Sequence, residues 1–91
     1  MSGLTVLEYS FKLHPRGGHE INFQMARQDT TSVANKQFNA WLADDGSHII
    51  MERNLADTEN MTTKYFFAKT GFADNWTGRA GLDYVEYNAL F

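Results

Sequence analysis

Between Tyr9 and Met25 the apolar residues fall on odd positions: Tyr9, Phe11 and Leu13, then Ile21, Phe23 and Met25. Alternation at period two on both sides of His14-Pro15-Arg16-Gly17-Gly18-His19 predicts a β-hairpin with one buried face. Directly opposed residues in an antiparallel pair share a face, so odd positions must meet odd positions. Leu13 then faces Ile21, Phe11 faces Phe23 and Tyr9 faces Met25. On the polar side His14, Lys12 and Ser10 oppose Glu20, Asn22 and Gln24. Gly17 and Gly18 supply the positive φ that such a loop requires.

After the polar cluster Gln28-Asp29-Thr30-Thr31-Ser32 the pattern changes. Ala34, Phe38, Trp41 and Leu42 form a stripe at helical spacing, with Ser32 placed to cap it and Gly46 just past its end. A competing strand reading runs Phe38, Ala40 and Leu42 into an Asp45-Gly46 turn, with Leu42 opposite Ile49. Between 33 and 43 Val33 alone is β-branched, while Ala34, Ala40, Ala43, Lys36, Gln37 and Leu42 favour helix, so the helix is preferred. His48 to Arg53 predicts a strand. Thr62 to Lys69 predicts another, apolar on both faces and therefore central. Gly71 to Gly81 has three glycines and no period, which predicts a loop. Leu82 to Phe91 alternates and is read as a strand, although Leu82, Val85, Ala89 and Leu90 also fit a helical stripe. The sum is a single domain over residues 1–91 of the α+β class. It is a small, mostly antiparallel sheet with one helix packed on a face, in the order ββαβββ, and an all-β meander is the alternative.

Composition adds limits rather than chemistry. The 91 residues are 43% hydrophobic and 14% aromatic, ordinary for a folded domain whose small core leans on large side chains. A core of this size leaves homodimerisation open. Eleven acids against eight bases give a net charge of −3, with no run of bases, which argues against a nucleic-acid surface. The absence of cysteine removes disulfides, thiolate nucleophiles and Cys-type zinc sites. The stretch Met1 to Glu8 has no basic region of a signal peptide, and no apolar run approaches the ~20 residues of a membrane span. A soluble, cytoplasmic protein is expected.

No catalytic, metal or nucleotide motif rises above background. His14, His19 and Glu20 lie close in sequence, but the hairpin register sends the histidines apart, so no metal site is expected. Asp44-Asp45 before Gly46 is explained by turn chemistry, and neither glycine cluster has a phosphate-loop form. No cofactor and no enzymatic activity are therefore expected. The segment least explained by folding is 71–81, where Phe72, Asp74, Trp76 and Arg79 combine residue types enriched at binding hot spots. The opposing reading is that Phe72 and Trp76 fold back onto the core. The expectation is a small acidic interaction module that binds and inhibits a partner protein with a basic surface, of the general character of phage or mobile-element inhibitors. Two other classes compete with it. One is a nucleic-acid-binding accessory protein using Tyr9, Phe11 and Phe23 with nearby bases. The other is a small ligand-binding protein or enzyme with a pocket near His19 or His48.

Overall fold

The first hairpin pairs as its alternation predicts. In the computed structural model, which describes residues 10–13, 20–31, 33–56, 62–86 and 89, β1 (Ser10–Leu13) runs antiparallel to β2 (Ile21–Asp29). Ser10 opposes Gln24, Phe11 opposes Phe23, Lys12 opposes Asn22 and Leu13 opposes Ile21. Tyr9, His14 and His19 lie outside the described residues. Three more strands follow, β3 (Lys36–Ala43), β4 (His48–Asn54) and β5 (Thr62–Ala68), and the five lie side by side in chain order. A short helix, α1 (Phe72–Thr77), and a 3-10 turn at Arg79–Gly81 come after them. The strands thus form an antiparallel meander with one helix, a small mostly-β domain.

The order ββαβββ is wrong at its third element, because residues 36–43 form β3 and not a helix. The physical reason is burial on both faces. Phe38 and Ala40 point to one side and Trp41 and Ala43 to the other, all buried, so the period-two signal vanishes and the remaining spacing imitates a helical stripe. The competing strand reading also missed by one residue, since Leu42 opposes His48 and Trp41 opposes Ile49. The turn at residues 44–46, closed between Ala43 and Ser47, sets that register. Gly46 N–H donates to the Ala43 carbonyl at 3.1 Å, and Ala43 N–H donates to the Ser47 carbonyl at 2.8 Å. Gly46 takes φ 92° to close the hairpin, which a residue with a Cβ adopts only under strain.

Three further expectations are corrected. Segment 71–81 is helical, and two of its glycines are punctuation: Gly71 precedes α1 and Gly78 separates it from the 3-10 turn. A helix of six residues is too short to show periodicity. Residues 82–91 are not a strand where described; Val85 alone makes a bridge, to Tyr65. Finally, β5 ends the strand order instead of lying at its centre. Its apolar residues serve two faces: Phe66 packs with Phe72, Trp76, Leu82 and Tyr84 from the chain that follows, whereas Tyr65 and Phe67 join the cluster built by the other strands.

Two clusters result, one on each face. On the first, Phe23, Trp41, Ala43, Ile49, Met51 and Tyr65 are buried, with Ile21, Met25 and Phe67 packed against them. Asn39 is a polar exception there, its Oδ1 buried and accepting no hydrogen bond among the described residues. On the second, Phe38, Ala40 and Ile50 are covered by Phe72, Trp76, Leu82 and Tyr84. A bulge between Met25 and Arg27 turns the end of β2 so that Asp29 opposes Phe38 on this second face. Farther across the same face, Ser10, Lys12, Asn22 and Gln24 of β1 and β2 are exposed.

Candidate functional site

The chemistry-bearing side chains gather where α1 meets the second face. His48 opens β4, is fully buried, and lies beneath the helix. Its Nδ1 is 3.0 Å from the Gly46 carbonyl oxygen, an atom that can only accept, so Nδ1 carries the hydrogen. Nε2 is then the acceptor, filled at 2.9 Å by the side-chain amide of Asn75. The same amide nitrogen also reaches the Thr70 carbonyl at 3.4 Å, and two acceptors around one NH2 fix its orientation. Phe72 sets its ring edgewise to the imidazole, with centroids 5.1 Å apart, and Phe66 lies at 6.4 Å.

A second clasp holds the other end of the cap. Arg79 donates through Nε and Nη2 to one oxygen of Asp29, at 3.1 and 2.6 Å, and through Nη1 to the Trp76 carbonyl at 2.7 Å. Its guanidinium lies 4.3 Å from the Trp76 ring centroid and 5.8 Å from that of Phe38, within cation–π range. Tyr84 donates its hydroxyl to the Arg79 carbonyl at 2.7 Å. Burial pushes the Tyr84 phenol well above its ordinary range; the Glu52 charge adds to this and Arg79 opposes it. The ring is neutral at any physiological pH, and its role is that of a donor.

Of the four residues expected to recognise a partner, Phe72, Trp76 and Arg79 are half-buried and engaged with the sheet. Asp74 is exposed on the outer side of α1. Their spacing held a signal that reading the segment as a loop passed over: Phe72 and Trp76 stand four apart, on one helical face. His48 has no partner near it in sequence, and its contact with Asn75, 27 residues on, emerges from the packing.

Acids collect at the end of the sheet nearest Gly46. Glu20, Asp44 and Asp45 surround an open depression of about 230 Å³, lined also by Ile21, Asn22 and Ala43. Ser47 donates its backbone N–H to Asp45 at 2.9 Å, which holds that carboxyl below its ordinary value. Among the described residues no group of three or more His, Asp or Glu side chains is placed to hold a metal ion. Nor is any described helix long and apolar enough to cross a membrane. Comparison with protein-family models, with curated proteins and with solved structures finds no match.

Proposed function

We propose that this chain is a non-enzymatic interaction module that binds another protein through its acidic turn end and restrains that partner's activity. The observation that carries the reading is the fate of the reactive groups. The His48 imidazole, the Asp29 carboxylate, the Arg79 guanidinium and the Tyr84 hydroxyl are each engaged inside the fold. Shape and charge are what the described surface offers to a ligand.

The depression near Gly46 suits a basic protein surface. A lysine or arginine side chain can lay its methylenes along Ile21 and Ala43 and carry its charge among Glu20, Asp44 and Asp45. Asp74 extends this acidic end, because its neighbour Asn75 bonds His48, two residues after Gly46. Phe72, Trp76 and Arg79 contribute by holding the helix that presents Asp74. A cytoplasmic location and a likeness in type to small phage or mobile-element inhibitors belong to the same proposal, resting on size, net charge and the lack of cysteine.

The test compares tagged wild type with the double variant Asp44→Lys, Asp74→Lys in lysate of the native host. A partner captured stoichiometrically by wild type and lost by a variant of unchanged thermal midpoint supports the reading. Equal capture by both, or a small molecule held in place of a protein, overturns it. Retention on a polynucleotide column that falls steeply with added salt would install the nucleic-acid reading instead.

A further inference from the structure

The turn between β3 and β4 carries Asp45-Gly46, the one place in the chain where an aspartate is followed by a residue with no side chain to shield its nitrogen. We infer that Asp45-Gly46 is a latent isoaspartate site, blocked while the turn is closed and free to react once the β3–β4 hairpin opens. The reaction needs no reagent but water. The Gly46 nitrogen bonds to the side-chain carboxyl carbon of Asp45, and the carboxyl hydroxyl departs as water with the nitrogen's proton. A five-membered succinimide results. Water then opens that ring at either carbonyl. One cleavage restores aspartate, and the other leaves the main chain running through the side-chain carboxyl, one methylene longer.

Ring closure makes demands that the folded turn denies. The Gly46 nitrogen must give up its proton, but that N–H donates to the Ala43 carbonyl at 3.1 Å. The carboxyl must be in its acid form, because a carboxylate has no hydroxyl to release. The Ser47 backbone N–H donates to it at 2.9 Å and, with the Ser47 side chain, holds it below its ordinary value. The peptide must also swing about Asp45 to bring the nitrogen against the carboxyl carbon, and Gly46 is anchored on its far side as well. Its carbonyl accepts from Nδ1 of the fully buried His48 at 3.0 Å, and the Lys69 carbonyl lies 3.4 Å from where a Cβ on Gly46 would stand. Asp45 is exposed, so bonding protects it and burial does not. The folded rate is then the open-chain rate scaled by the fraction of time the turn spends open.

A reacted turn does not close again. An added methylene carries the Gly46 N–H away from the Ala43 carbonyl and breaks the pairing of Trp41 with Ile49 and of Leu42 with His48. Trp41 and Ile49 belong to one buried cluster, and Ala40 and Ile50 to the other, so both faces lose their register together. The site requires no partner and stands whether or not the acidic end docks one.

Peptide mapping that separates aspartate from isoaspartate at residue 45 tests it, on the folded protein and on the same protein held unfolded in guanidinium chloride at one neutral pH. Isoaspartate is expected to accumulate at least about tenfold faster in the unfolded protein. In the folded protein His48→Leu frees the Gly46 carbonyl and is expected to raise the rate about threefold. On removal of denaturant, unreacted chains should regain hydrogen-exchange protection at the Ala43 and Gly46 amides, and isoaspartate chains should not. Folded and unfolded rates within about twofold of each other overturn the inference, as do isoaspartate chains that recover those amides. Where His48→Leu does not fold, the comparison of folded with unfolded wild type decides.

Discussion

Trp41 and Trp76 lie on opposite faces of one sheet, and what holds each in place differs. Trp41 is fully buried among Phe23, Ile49, Met51 and Tyr65, all on strands whose ladder already fixes their positions. Trp76 is half-buried on a six-residue helix, a length at which helices do not persist alone in water. The strand face can rely on area, because register has been decided elsewhere. The helical face needs directional bonds to say where the helix sits, and it has them in His48 to Asn75, Asp29 to Arg79 and Tyr84 to the Arg79 carbonyl. Asn39 inverts the rule on the strand face, a buried amide oxygen with no bond to make among the described residues.

The sharpest way to break this contrast is to truncate each tryptophan. Trp41→Ala removes a fully buried ring and is expected to cost about 3–5 kcal/mol, a large part of the ~5–10 kcal/mol expected for a domain of this length. Trp76→Ala leaves the strand face intact and is expected to cost about 2 kcal/mol, with local loss of protection in α1. Urea unfolding by circular dichroism measures both. Equal losses would mean that the two faces are one cooperative core and that the distinction is false.

A smaller effect probes the bonds themselves. The Asp29 and Arg79 side chains retain 10% and 19% of their exposure, so the pair is shielded without being fully dry. A double-mutant cycle with Asp29→Asn and Arg79→Met is expected to return a coupling of about 1–2 kcal/mol, above the level of an exposed pair. Each single change should loosen α1 more than β4 in hydrogen exchange. A coupling near zero would leave the cation–π contacts and buried area as the whole attachment.

These same residues show where sequence reading succeeds. The alternation from Phe11 to Met25 fixed the register of β1 and β2 because one face of that hairpin is polar: Ser10, Lys12, Asn22 and Gln24 are exposed. β3 gave no such signal, since Phe38, Ala40, Trp41 and Ala43 are buried on two faces and erase the alternation that identifies a strand. The cap was hidden for a different reason. Gly71, Gly78 and Gly81 read as loop punctuation, while Phe72 and Trp76 take their meaning from Phe38 and Ile50, far away in sequence. Of the candidate site, the residue types were legible and their partners were not. Asp29, Asn75 and Tyr84 become informative when the bulge after Met25 and the docking of α1 bring them to Arg79 and His48.

The smallest expected effect separates the turn from the helix above it. Asp45 is lowered mainly by the Ser47 backbone N–H, with the Ser47 side chain adding to the effect. A carboxyl held below its unfolded value stabilises the folded state above that value, and the contribution is lost as the pH falls through the folded one. Asp45→Asn keeps an oxygen for the Ser47 N–H and cannot titrate, so wild type should be slightly the more stable of the two at neutral pH and the gap should close in acid. Below about pH 4 wild type should decline relative to it, because the wild-type carboxylate is then taking up its proton. Thermal midpoints of both proteins between about pH 2 and about pH 5 measure the difference. A constant difference across that range would remove the Ser47 bond from the turn's acid response. A difference confined to it would place the turn's acid response in the carboxylate range and assign it to the Asp45 carboxyl.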